Sequence, residues 1–107
     1  MSEVKTIVLE NDKNPDVEFV GEQIAFSSSK TIDGARSQRW HELRLFKTEG
    51  GKYVCQQVGR TIWQGETDRF SVAVCDTDEE VKAFFGYSQE AKDLYYDANI
   101  SATQRIA

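Results

Sequence analysis

The sequence contains little cysteine, proline or histidine, and it has no long apolar run. Two cysteines, Cys55 and Cys75, are too few for a disulfide scaffold or for the usual zinc site. No segment approaches the roughly 20 apolar residues that a membrane-spanning helix needs. The first residues, MSEVKTIVLENDKN, lack the basic and apolar regions of a signal peptide. We therefore expect a cytoplasmic protein with free, buried thiols, no membrane contact and no cofactor.

Charge is segregated along the chain. The net charge is −5, yet residues 30–70 carry eight basic and five acidic side chains, and both flanks are acidic. A basic middle segment is typical of a chain that meets phosphate or an acidic protein, and equally of strands that pair opposite charges across a sheet. The net acidity argues against non-specific nucleic-acid binding, because phosphate contacts supply most of that affinity.

Alternation of apolar and polar residues predicts strands over 5–10, 17–26, 39–47, 52–63 and 69–76. Gly21, inside the second segment, predicts a bulge or bend. In the third segment, His41, Leu43 and Leu45 share one face. The opposite face carries Trp40, Glu42, Arg44 and Phe46.

Gly50 and Gly51 predict a tight hairpin between the third and fourth strands. Two registers are open. A Glu49-Gly50 turn pairs Phe46 with Tyr53, whereas a Gly50-Gly51 turn pairs Glu49 with Lys52. Residues 27–38 are polar and read as a loop.

Helices are expected only after residue 76, where the spacing of apolar residues changes from the alternation of a strand to the period of a helix. Thr77 and Glu80 form a capping box, Gly86 ends the first helix, and Ser88 caps the second. The prediction is a single α+β domain over 1–107. It comprises a four- to five-stranded antiparallel β-meander with two C-terminal helices packed on one face, the other face being wet.

The stretch RWHELRLFKTEGGKYVCQQVGR resembles a group of small bacterial proteins of unknown function. They share a tryptophan–glutamate strand, a TEGGKYV-type hairpin and a following GR. The resemblance covers residues 39–60, and more loosely 17–76. It implies a fold and an association with mobile or phage-related genomes, and it assigns no functional residue.

Aromatic and basic side chains of the middle strands are the candidate binding residues, because Trp, Tyr and Arg dominate protein interfaces and also stack on nucleic-acid bases. They are Arg36, Arg39, Trp40, Arg44, Phe46, Tyr53, Arg60 and Trp63. Three functions follow in order of preference: a non-enzymatic protein that binds and blocks a larger protein, a sheet-based nucleic-acid binder using strands 39–63, and an enzyme of unrecognised type. The aromatic residues are alternatively the core beneath the helices.

His41 is the other residue with chemical potential. A catalytic or metal-binding histidine needs a partner at hydrogen-bond distance or further ligands, and Glu42 points to the opposite face of the strand. We therefore expect His41 to be a hydrogen-bonded structural residue.

Overall fold

The computed structural model describes residues 4–30 and 38–106, and it confirms the α+β prediction. Each strand pairs antiparallel with the next, so that the order in the sheet follows the chain. The strands are β1 (Lys5–Leu9), β2 (Val17–Ser28), β3 (Arg39–Thr48), β4 (Tyr53–Thr61) and β5 (Arg69–Cys75). The helices that follow are α1 (Asp78–Phe85) and α2 (Gln89–Asp97).

One face of the sheet, the helix face, is covered by both helices. Leu43, Leu45 and Cys55 project from β3 and β4 into a core shared with Val81 of α1 and Leu94 of α2. The alternation in 39–47 predicted this face correctly. Burial of each such aliphatic side chain stabilises the fold by about 1.5–3 kcal/mol.

The opposite face, the inner face, is not wet throughout, so that prediction is wrong. Phe46 and Val54 pack with Leu9 in a second apolar cluster, because the sheet curls over this face. The curl brings the turn after β1 to the edge of β5. There the Asp12 amide donates to the Phe70 carbonyl at 2.9 Å, and the Asp12 carboxylate accepts from the Phe70 amide at 2.9 Å.

The irregularity in β2 is displaced from its predicted position. The register between β2 and β3 shifts between Gln23 and Ala25, three residues beyond Gly21. Gly21 has another role: a Cβ at this position would collide with the backbone of Lys47 and Thr48. Glycine therefore allows β2 and β3 to approach closely.

The β3–β4 hairpin adopts neither predicted register. Lys47 pairs with Tyr53, and the Thr48 amide donates to the Lys52 carbonyl at 2.8 Å, leaving a three-residue loop. Gly51 closes this loop with φ 89°, a conformation that favours glycine. The extra loop residue accounts for the difference, since both predictions assumed a two-residue turn.

Both predicted helix caps are confirmed. The Thr77 hydroxyl accepts from the Glu80 amide at 3.2 Å, and the Ser88 hydroxyl accepts from the Ala91 amide at 3.3 Å. The Glu80 carboxylate accepts from the Asp76 amide at 3.3 Å, one residue before the cap. Gly86 ends α1 with φ 78°.

The segment between β2 and β3 differs from the expected loop at its start. Ser27 and Ser28 still belong to β2, and Ser29 and Lys30 are helical, so the prediction of helices only after residue 76 is wrong here. The Ser28 hydroxyl accepts from the Lys30 amide at 3.2 Å, a local bond that competes with the strand. The rest of the predicted loop through residue 37 lies outside the described residues.

Candidate functional site

The eight predicted binding residues do not form one platform. Phe46 is 4% exposed within the inner-face cluster, so it is a core residue. Tyr53 lies on the opposite side of the sheet, where it packs against the helix-face core. Trp63 lies beyond β4, which ends at Thr61 and not at the predicted residue 63. Arg36 lies outside the described residues.

Three of the eight, Trp40, Arg44 and Arg60, meet on the inner face around Glu42. The Trp40 indole donates to Glu42 Oε2 at 3.1 Å, while Arg44 and Arg60 donate to Oε1 at 3.2 and 3.0 Å. Arg60 also donates to Asp68 at 2.8 Å. The side chain of Glu42 is 16% exposed, so this network is partly shielded from solvent.

The electrostatics of this network favour its charged form. Burial alone raises the pKa of Glu42, but hydrogen bonds from Trp40 and Arg60 and the charges of both arginines lower it more, so the net pKa is depressed. A hydrogen bond from Arg60 likewise lowers the pKa of Asp68. The two arginines are therefore neutralised within the molecule.

Arg39 begins β3 and fixes the loop after β4. Its Nε and Nη2 donate to the two Glu66 oxygens at 3.0 and 2.6 Å, and the Thr61 hydroxyl donates to Glu66 Oε1 at 2.6 Å. These bonds lower the pKa of Glu66 to about 2, with a smaller contribution from the charge of Arg69. A two-point arginine–carboxylate contact of this kind fixes orientation as well as distance.

The loop held in this way presents two large apolar side chains to solvent. Ile62 is 66% exposed and Trp63 is 49% exposed. The Arg39 guanidinium lies 5.5 Å from the centre of the Trp63 ring, within cation–π range. We name the set Arg39, Ile62, Trp63 and Arg69 the strand-end surface.

A groove of about 730 Å³ opens beside the strand-end surface. It lies at one end of the sheet, where β3 and β5 begin and β4 ends. His41, Gly59 and Arg69 form one row across its floor, since Gly59 pairs with both neighbours. Further walls come from Trp40, Thr61 and Glu66 and, on α2, from Glu90.

His41 is exposed in this groove. Its backbone amide donates to the Ser29 hydroxyl at 2.9 Å, but its imidazole makes no hydrogen bond within residues 4–30 and 38–106. The prediction of a hydrogen-bonded structural histidine is therefore wrong for the described part of the chain. Its partner on β4 is Gly59, which has no side chain to cover the imidazole or to accept its hydrogen bond.

The two cysteines lie side by side in the helix-face core as free thiols, as predicted, with their Sγ atoms 3.8 Å apart. Cys55 is fully buried and Cys75 is 4% exposed. Burial raises the pKa of both thiols, which keeps them protonated and poorly nucleophilic.

The sequence-based prediction missed several residues of this region: Glu42, Ile62, Glu66, Asp68 and Arg69. The Trp-x-Glu-x-Arg spacing of β3 was a usable signal for Glu42, because the three side chains share a face. Glu66 and Asp68 gave no such signal. They lie in a turn and reach their partners only once the sheet has formed.

Comparison with known proteins gives no relative. No protein-family model matches the chain, and no curated protein or solved structure is significantly similar to it. In the described residues, no helix is long and apolar enough to cross a membrane. The same residues contain no group of three or more His, Cys, Asp or Glu side chains placed to hold a metal ion.

Proposed function

We propose that this chain is a small, non-enzymatic interaction protein of the cytoplasm that binds a larger protein partner and blocks it. Its role is that of an inhibitor or immunity-type protein of a phage or mobile element. The observation that carries the proposal is the exposure of Trp63 and Ile62 on a loop that the Arg39–Glu66 pair holds in place.

Such a surface is suited to a protein interface. Tryptophan and arginine dominate the small group of residues that supply most binding energy. A loop whose conformation is fixed before binding loses little entropy on association, which improves affinity. Trp63 and Ile62 would enter an apolar pocket of the partner, and the nearby exposed Arg69 favours an acidic rim.

The pairing of the arginines supports a protein partner over a nucleic acid. Arg39 pairs with Glu66, Arg44 with Glu42, and Arg60 with both Glu42 and Asp68. Phosphate binding would have to compete with these carboxylates, and the net charge of −5 opposes it further. The separation of Phe46 and Tyr53 onto opposite faces also removes the stacking platform that strands 39–63 suggested.

The state of the two thiols and of the inner-face carboxylates supports a role without catalysis. Cys55 and Cys75 are protonated thiols inside the core. Glu42 and Asp68 are ion-paired to arginine, which holds their pKa values low and makes them poor general acids or bases at neutral pH.

The test is affinity capture with the tagged chain from its native host, with and without nuclease, followed by calorimetry on the purified pair. We expect Trp63→Ala to weaken binding by about 30-fold, the effect of losing about 2 kcal/mol at a central anchor. The matched control is Tyr96→Ala on α2, an aromatic residue that is 90% exposed. It should bind like the wild type.

Blocking is measured on the captured partner. The wild-type chain should reduce the partner's activity in proportion to occupancy, and Trp63→Ala should do so only at correspondingly higher concentration. The proposal fails if nuclease abolishes capture and the purified chain binds generic oligonucleotides at physiological salt. It also fails if Trp63→Ala and Tyr96→Ala bind equally.

A further inference from the structure

The groove beside the strand-end surface has open space above Gly59, on its floor. Gly59 lies between His41 and Arg69 in the row across β3, β4 and β5. Among residues 4–30 and 38–106, a Cβ built on Gly59 would meet only the Arg69 Cβ, at 3.7 Å, an ordinary van der Waals contact. The missing side chain therefore leaves space for a ligand group between the imidazole and the guanidinium.

Most charges that line this groove are already matched. Both oxygens of Glu66 accept from Arg39, and Oε1 also accepts from Thr61. Arg60 is held by Glu42 and Asp68. Glu90 lies in the first turn of α2, where the partial positive charge of the helix N-terminus offsets its own.

Arg69 differs from these groups. It is exposed on β5, and within the described residues no carboxylate lies within 4 Å of it. Its charge is felt only at longer range, where it contributes to the low pKa of Glu66. The groove thus contains one guanidinium whose fork of donors is available to an incoming anion.

We propose that the groove receives an acidic side chain of the protein partner, an aspartate or glutamate whose carboxylate pairs with Arg69 above Gly59. The inference rests on the proposed protein-binding function and names the chemistry of the partner at this point. Ile62 and Trp63 would anchor the interface, while the Arg69–carboxylate pair would fix its register and orientation.

The first experiment uses small probes and needs no partner. His41 is the chain's single histidine, so its imidazole gives unique NMR signals on the groove floor. At constant pH and ionic strength, N-acetylglutamate α-amide, whose single carboxylate is that of the side chain, should shift these signals saturably in the millimolar range. The neutral N-acetylglutamine α-amide should not. Arg69→Gln should abolish the shift, whereas Lys92→Gln, on the exposed surface of α2, should retain it.

A second variant keeps every charge and fills the space. Gly59→Val adds a branched side chain where a Cβ meets no hard contact, so the sheet should fold normally. We expect it to abolish the shift caused by N-acetylglutamate α-amide. Equal responses to the α-amides of N-acetylglutamate and N-acetylglutamine would overturn the proposal, as would an unchanged response in Arg69→Gln. Saturation by inorganic phosphate at lower concentration than by N-acetylglutamate α-amide would also overturn it, in favour of a phosphate site.

Binding affinities for the purified partner distinguish failure of the carboxylate site from failure of the proposed protein-binding function. If both hold, Trp63→Ala and Arg69→Gln each weaken binding, the latter by about ten-fold. Loss of binding in Trp63→Ala with wild-type affinity in Arg69→Gln and Gly59→Val would leave the proposed function standing and refute the carboxylate site. Wild-type affinity in all three variants would refute both.

Discussion

Glu42 is the residue that organises the inner face of the sheet. Three donors from β3 and β4 converge on its carboxylate, and Arg60 extends the network to Asp68 before β5. A largely buried carboxylate with two charged donors and one neutral donor is costly to remove, because its partners remain in place without an acceptor. Glu42 therefore joins the middle of the sheet to its β5 edge.

We predict that Glu42→Gln lowers the free energy of unfolding by about 1–3 kcal/mol at pH 7, because the amide cannot balance Arg44 and Arg60. Urea unfolding measures the change. The control is Glu79→Gln on α1, whose side chain is 82% exposed and which should change stability by less than about 0.5 kcal/mol. Equal effects in the two variants would contradict this role of Glu42.

The same variant should show a defined pH dependence. The pKa of Glu42 is lowered in the folded state, so its stabilising contribution is complete above the unfolded pKa of about 4.3 and is lost as pH falls through the folded pKa. We therefore expect the stability difference between wild type and Glu42→Gln to shrink as the pH is lowered from 5 towards 2. A difference that stays constant over this range would show that the carboxylate charge is not its source.

At the scale of the elements, short-range signals predicted well and long-range contacts did not. Period-two alternation located β3 and sorted Leu45 and Phe46 onto opposite faces. The curl of the sheet depends on the bonds from Asp12 to β5, between residues 58 positions apart in sequence, which no local pattern contains. The position of Trp63 depends on Arg39 and Glu66, which meet only after β3 and β4 have paired.

Gly21 illustrates a constraint between two elements. We predict that Gly21→Ala destabilises the fold by about 1–3 kcal/mol, because its methyl group would meet the backbone of Lys47 and Thr48 and force β2 away from β3. Gly59→Ala is the matched control in β4, where a Cβ has room and stability should be unchanged or slightly raised. Thermal unfolding of both proteins distinguishes a steric from a purely conformational effect. Equal destabilisation would contradict the steric account.

For the whole molecule, the sheet lies between two clusters of unlike composition. The helix-face core contains Cys55, Leu45 and residues of both helices, whereas the inner face combines the cluster around Phe46 with the Glu42 network. Since β3 and β4 contribute to both faces, loss of either layer removes support from the other. We expect the chain to unfold as one cooperative unit, as the predicted single domain implies.

The buried thiols report on this cooperativity. Cys55 and Cys75 should resist alkylation in the native protein and should both react in denaturant, giving two adducts by mass spectrometry. When the transiently opened protein closes again faster than it is alkylated, the labelling rate follows the equilibrium between its closed and open forms. Glu42→Gln should then accelerate labelling by about 5- to 150-fold, the factor that corresponds to its loss of about 1–3 kcal/mol. Glu42 lies on the face of the sheet opposite both cysteines, so an effect of this size requires that the two faces open together. An unchanged labelling rate in a variant that urea shows to be destabilised would mean that the helix-face core opens on its own, and the chain would then contain two separately unfolding layers.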